Sequence, residues 1–294
     1  MPTPEKDLFT APDGEVLAFW RWPVKPGRPT LHWAHATGFH ARAYAPLLDE
    51  LSKAVNVVAW DMRGHGESWC AGNLNRFYGW GAYYRDLSAL IDHLDEPLWL
   101  AGHSVGATAS FAAASKNSGK VLGIFAVEPV LLDFRRCILL AVAKQLHQSH
   151  RFVLAKGALK RRAVYASREG VFEVYRQKAS FKRWSDAWLW AYVNHGFLDE
   201  MAGGVRLACD PQWEALSFAK TEHRPLRQVR GIDEAISVYG LAAEHGSTFP
   251  RSARERVLRR LLHAEIEEVP GTSHFLPMEN TDRVRQWMLS RIGF

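Results

Sequence analysis

The chain is poor in cysteine and has no long apolar runs. Cys70, Cys137 and Cys209 are widely spaced and odd in number, and none stands in a C-x-x-C pair, so neither a disulfide framework nor a thiolate metal site is expected. They are most simply reduced thiols. The opening "MPTPEKDLFTAPDG" has no apolar stretch of signal-peptide length, and nowhere do about 18 apolar residues follow one another without a break, the length needed to span a bilayer. A cytoplasmic protein without a membrane partner is therefore expected. Repeats, linkers and low-complexity segments are absent as well. The positive excess of +6 comes without a helix-turn-helix, RNP or zinc-finger pattern, which excludes nucleic acid as the expected partner. The pairs "HWAH" and "HQSH" lack a third ligand at convincing spacing, so no metal is expected.

A 294-residue chain with 47% hydrophobic and 23% charged residues has the length and make-up of one large α/β domain, or of a core domain carrying an insertion. Over the first 130 residues short β-branched or aromatic runs, "VLAFWRW", "TLHWAHA", "NVVAWD", "PLWLAGHS" and "LGIFAVEP", alternate with helical patterns such as "YAPLLDELSKA" and "AYYRDLSALIDHL". This alternation predicts a mostly parallel sheet with helices on both faces. "DLFTAPDGEVLAFWRW" reads instead as an antiparallel hairpin turning at Pro12, Asp13 and Gly14. From residue 133 the patterns become helical or irregular, with no convincing strand, until about 215. A strand-like "ISVYGL" then resumes, followed by helical "RSARERVLRRLL", by "AEIEEVP", and by a closing helix with Val284, Trp287, Met288 and Ile292 on one face. The expected organisation is a core in two parts, 1–132 and 216–294, with a helical cap at 133–215 between them. Eleven Lys or Arg between Lys144 and Arg183 face only Glu169 and Glu173 and read as a solvated helical surface rather than an anion-steering rim.

The most informative stretch is "LWLAGHSVGATASFAAA". It sets Gly102, Ser104 and Gly106 as G-x-S-x-G at a strand-to-helix junction. A turn sharp enough to lift the serine hydroxyl above the sheet brings backbones too close for a Cβ two residues to either side, hence the glycines. The small residues Ala107, Ala109 and Ser110 then let the following helix pack closely on the sheet.

With "HATGFHARAY", "DMRGHGES" and "GTSHFLPMEN" in the same order along the chain, the sequence resembles the α/β-hydrolase family, over about two-thirds of its length. The resemblance implies a serine hydrolase acting on ester bonds without a cofactor. Ser104 is the implied nucleophile and His274, in "GTSHF", the implied base. The N–H groups of Val105 and Thr37 are the implied oxyanion hole, with Ala36 where glycine is common. His35, His65 and His103 read as loop-bonding or pocket-wall residues. The triad acid has a customary place in a G-E-x-D pattern after the strand "ISVYGL". Here "AEHG" puts Glu244 on the glutamate and Gly246 where the aspartate stands in relatives. A second place known in the fold, in members resembling haloalkane dehalogenases, is the end of the strand after the nucleophile helix, which this chain closes with Glu128. A glutamate there is costly to bury unpaired, and His274 is a suitable partner. Glu128 is thus the expected acid, with Glu244 and then Asp133 as alternatives. The cap aromatics Phe172, Tyr175, Phe181, Trp184, Trp188, Trp190 and Tyr192 read as cap core before pocket wall. The expected partner is a small-molecule ester, and the expected assembly a monomer or homodimer. Lactone or C–C bond hydrolysis, acyl transfer, amide cleavage and perhydrolysis run on the same triad, and a receptor-like relative with little turnover is the reading from another class.

Overall fold

The computed structural model describes residues 3–294, so Met1 and Pro2 of the opening stretch lie outside the described residues. Strands β1 (Glu5–Thr10) and β2 (Val16–Arg21) form the expected hairpin, its turn closed by the Gly14 N–H donating to the Ala11 carbonyl at 2.9 Å. Next come β3 (Thr30–Ala34), β4 (Asn56–Trp60), β5 (Leu98–His103) and β6 (Val121–Val127). Three short strands, β7 (Val164–Tyr165), β8 (Phe197–Asp199) and β9 (Val205–Leu207), lie in the insertion, and β10 (Ser237–Ala243) and β11 (Ala264–Val269) complete the core.

The main sheet has eight strands in the order β1-β2-β4-β3-β5-β6-β10-β11, parallel from β4 onward. Every residue of β3 and β4 is buried, as strands covered on both faces require. One face carries the helices Gly81–Leu94, Val105–Ala114 and Arg251–Arg260 through Leu87, Leu90, Ala107, Ala253 and Val257. The other carries Ala45–Leu51 and Thr281–Ile292 through Leu47, Leu48, Val284, Trp287 and Met288. Each fully buried leucine or valine of these layers contributes about 1.5–3 kcal/mol. "AEIEEVP" supplies the edge strand β11, where Glu265 and Glu267 pair with Arg291 at 2.9 and 2.6 Å.

The insertion corrects one expectation. It is not purely helical, because β7, β9 and β8 pair antiparallel into a small sheet beside the helices Phe134–Gln145, Val153–Leu159, Arg168–Arg176 and Asp186–His195. Runs of two or three residues are too short to show a period-2 pattern. The helix Pro211–Ala219 packs Ala215 and Ala219 against Ala155 and Ala158 of the insertion. Nor does the insertion stand apart from the core: Trp188 and Leu189 of Asp186–His195 belong to the same apolar cluster as Leu47 and Trp287. Among the described residues no helix is long and apolar enough to cross a membrane.

Candidate active site

β5 ends at His103, and Ser104 enters the next helix with φ 58° and ψ −122°. A side chain rarely adopts such a positive φ, at a cost of about 1–3 kcal/mol. The flanking glycines make the turn possible. A Cβ on Gly102 would stand 2.6 Å from the Gly106 carbonyl carbon, and one on Gly106 would stand 2.6 Å from the His35 oxygen. The helix that follows is buried along its whole length, which its run of alanines permits.

Three chain segments meet above this turn. His274 Nε2 lies 3.1 Å from Ser104 Oγ, and His274 Nδ1 lies 3.0 Å from Glu128 Oε2. Glu128 follows the last residue of β6 at φ 49° and is wholly buried. Its Oε1 accepts from the Ala243 N–H and the Ser247 hydroxyl, both at 2.6 Å, and its Oε2 also accepts from the Thr248 N–H at 3.1 Å. Burial opposes ionisation, but the hydrogen bond and charge of His274, the Ser247 hydroxyl and the Ala243 N–H outweigh it and hold the Glu128 carboxyl below its ordinary pKa. With the carboxylate charged, Nδ1 carries the imidazole proton and Nε2 is left to accept from the serine.

The other carboxylates lie elsewhere. Glu244 Oε2 accepts from the Gly271 N–H at 2.7 Å, with its side chain 43% exposed. Asp133 caps the helix Phe134–Gln145 by accepting from the Arg136 N–H at 2.9 Å. Gly246 lines the cavity with φ 62°. The loop Gly246–Thr248, empty of an acid, instead supplies the Ser247 and Thr248 donors that hold Glu128.

Around the serine, loops are pinned by neutral histidines. His35 donates from Nδ1 to the Ala36 carbonyl at 2.7 Å and accepts the Met62 N–H at Nε2 at 2.9 Å; His65 does the same with the Arg63 carbonyl and the Gly38 N–H, both at 3.1 Å. Burial depresses both, His65 to about 4. His103 Nε2 donates to the His274 carbonyl at 2.7 Å, while its Nδ1 accepts the Tyr44 hydroxyl at 2.8 Å; that hydroxyl in turn accepts the Ala36 N–H at 3.2 Å. A buried relay thus joins the "HATGF" loop to the backbone of His274. Tyr44 escaped the sequence reading because three separate segments must meet before its role appears. Glu279, within "PMEN", accepts from the Ser273 N–H and hydroxyl at 2.7 and 2.8 Å and so fixes the His274 loop.

The amides of Ala36 and Gly38 are thus satisfied. Among the described residues the N–H groups of Thr37 and Val105 donate to no protein acceptor, and both residues flank Ser104 in space or in sequence. Unpaired backbone donors beside a nucleophile can hold a developing oxyanion.

A cavity of about 770 Å³ opens over Ser104 and His274, walled by the "HATGF" loop and by the insertion. Of the seven cap aromatics singled out in the sequence, Tyr175, Phe181 and Tyr192 reach the cavity. Trp184 and Trp188 are buried in the core, Trp184 against Phe39 and Phe275, and Trp190 stacks on Phe172 with centroids 4.3 Å apart. Two members of the basic stretch, Arg161 and Lys178, also face the cavity rather than solvent alone. Among the described residues no group of three His, Cys, Asp or Glu is placed to hold a metal ion.

A family model described as "Alpha/beta hydrolase family" matches residues 31–287. Solved structures similar to the chain include an E-2-(acetamidomethylene)succinate hydrolase, with a TM-score of 0.79 and 18% identity over 99% of this chain and 100% of that one. A thioesterase domain from the curacin biosynthetic pathway has a TM-score of 0.76 and 18% identity over 98% of this chain and 99% of its own. The enol-lactonase from Burkholderia xenovorans has a TM-score of 0.66 and 18% identity over 97% and 98%. At such identities the likeness is one of fold. No curated protein matches the sequence.

Proposed function

Because the chain belongs to the alpha/beta hydrolase family, we propose that it is a serine hydrolase that cleaves carboxylic esters through an acyl-enzyme, with Ser104, His274 and Glu128 as its triad. The observation that carries this reading is the unbroken hydrogen-bond chain from Ser104 Oγ through the His274 ring to Glu128, at 3.1 and 3.0 Å. A serine hydroxyl is a weak nucleophile at neutral pH. His274 Nε2 takes its proton as Oγ attacks the ester carbonyl, and the imidazolium that forms is stabilised by the buried Glu128 carboxylate.

The carbonyl oxygen becomes an oxyanion and receives the N–H groups of Thr37 and Val105, each such donor supporting roughly 10²–10³ of rate. His274 then returns the proton to the departing alkoxide, leaving Ser104 acylated. Water enters, gives its proton to Nε2 and attacks the acyl carbon, and the serine leaves with that proton. No cofactor enters these steps.

The solved structures of similar fold include proteins named as a hydrolase, a thioesterase and an enol-lactonase, so the acyl bond preferred is a matter for experiment. A chromogenic short-chain ester mixed rapidly with enzyme should give a burst of alcohol close to one per active site, followed by slower turnover. The matched anilide should react more slowly, because amide resonance lowers the reactivity of its carbonyl and its nitrogen must be protonated by His274 before it leaves. Ser104→Ala should abolish the burst. An ester panel from acetate to decanoate and simple lactones, all left intact, would sink the proposal.

A further inference from the structure

The cavity wall is largely apolar, with Leu139, Leu140, Phe152 and Val153 at one side, yet cations are set into it. Arg136, Arg161 and Lys178 line it against the Glu214 carboxylate. Arg136 has a counter-ion in Asp133 at 3.4 Å. Arg161 pairs with Glu214 through one terminal nitrogen, and the other donates to the hydroxyls of Tyr175 and Tyr192 at 3.0 and 2.9 Å. That pair is neutral as a unit. Lys178 is the charge left over: among the described residues it has no carboxylate within ion-pairing distance, and its ammonium lies 4.1 Å from the centre of the Tyr175 ring. Tyr175 therefore carries Arg161 at its hydroxyl and Lys178 on its face. Two cations share one side of the cavity with one counter-ion, the Glu214 carboxylate paired to Arg161, a net positive charge that an added anion offsets.

Arg161 is also tied to the loop beside the serine. The Tyr192 hydroxyl that accepts from Arg161 donates to the Gly38 carbonyl at 2.8 Å. Gly38 follows Thr37, so the guanidinium is two hydrogen bonds from the loop whose free N–H faces the ester carbonyl. An anionic group held there shares the cavity with Ser104.

Resting on the assignment of Ser104 as the acylated nucleophile, we infer that Arg161 and Lys178 form a carboxylate subsite and that the favoured substrate is the half-ester of a short dicarboxylic acid. Its free carboxylate takes a hydrogen bond from Lys178 Nζ and the field of Arg161, its ester carbonyl lies over Ser104, and the apolar wall receives the alcohol portion. The bond cleaved is the same ester bond, and the products are the alcohol and the diacid.

The test compares monomethyl glutarate with methyl valerate, and monomethyl succinate with methyl butyrate, by pH-stat titration on wild type, Lys178→Gln and Lys178→Arg. In wild type, kcat/KM for each half-ester should exceed that of its neutral counterpart by about tenfold, the low end for a charge-assisted hydrogen bond at a partly exposed site. Lys178→Gln should bring that ratio toward one, chiefly through KM, and Lys178→Arg should restore most of it. Added salt should shrink the wild-type ratio, as screening of the pair demands. Hydrolysis of the neutral esters with a wild-type ratio near one, or a ratio indifferent to Lys178→Gln, overturns the subsite and leaves the serine hydrolase standing. Failure to hydrolyse any ester, with Ser104 unlabelled by a fluorophosphonate, overturns both.

Discussion

Two neighbouring strands, β6 and β10, run parallel in register with Val127 opposite Leu241, and each delivers a glutamate just beyond its end. Glu128 is fully buried, stands at a positive φ, and gathers the Ala243 N–H, the Ser247 hydroxyl, the Thr248 N–H and the His274 ring. Glu244 is 43% exposed on its side chain and accepts from the Gly271 N–H. The residue type is the same and the strand ends are adjacent, yet one carboxylate orients the His274 ring and the other ties two surface loops. What separates them is desolvation matched by several fixed donors. That combination keeps a carboxylate charged and aimed, while water around Glu244 would screen the same charge.

The strongest way to break this comparison is to remove the buried member. Glu128→Ala should lower kcat by roughly 10³–10⁴, the scale seen when a triad loses its acid, and adding Glu128→Ala to His274→Ala should cost little more, because the acid acts only through the base. Additive losses in the double variant would show that Glu128 does not act through His274. Circular dichroism melts of the single variant separate this loss from unfolding.

A second measurement concerns how the site is held. His32, His40 and His65 are buried and neutral, with burial depressing them to about 3, about 3 and about 4. The unfolded chain takes up these protons below an ordinary histidine pKa near 6.5, and the folded chain does not. Their contribution to stability is therefore complete above about pH 6.5 and is lost as the pH falls toward those depressed values, by at most about 2 kcal/mol for each between pH 6.5 and 5. Glu128 adds to the loss at lower pH, since its depressed carboxyl favours folding only while ionised. Denaturant midpoints between pH 8 and 4 should fall steadily below 6.5; a flat profile would show that these buried rings are not held neutral in the folded chain.

The comparison is sharpened by moving the acid from one strand end to the other. Gly246 faces the cavity at φ 62°, a conformation aspartate tolerates, and a Cβ there meets nothing within 4 Å. Introducing Gly246→Asp into Glu128→Ala should recover about tenfold of the lost kcat, a fraction of the full acid effect because the new carboxylate lacks the Ser247 and Thr248 donors. No recovery in a well-folded double variant would show that the β10 loop cannot reach His274.

The sequence exposed the features that follow from local sterics or from isolation. Gly102 and Gly106 mark the elbow because any Cβ there collides with backbone, and a reader of the sequence alone can name that cause. Glu128 was visible as a carboxylate closing an apolar strand, a place where an unpaired charge is costly. The strands β7, β8 and β9 were hidden because two or three residues carry no period. Tyr44, His103 and Glu279 were hidden in their roles because their partners lie on other segments. The cap aromatics divided, with Tyr175, Phe181 and Tyr192 on the cavity and Trp184 and Trp188 in the core, since helical spacing alone does not say which face meets a void. Arg161 and Lys178 sat within a stretch that composition marks as surface, and only the tertiary fold brings a cavity against them.

The smallest effect is expected at the exposed carboxylate, and it defines the decisive measurement: kcat/KM on one chromogenic ester for Glu128→Gln and Glu244→Gln, measured side by side with wild type. Glu128→Gln should lose about 10³ or more, as for a neutralised triad acid, and Glu244→Gln should change by no more than about twofold. The reverse ranking, or equal losses, would contradict the placement of the acid on β6.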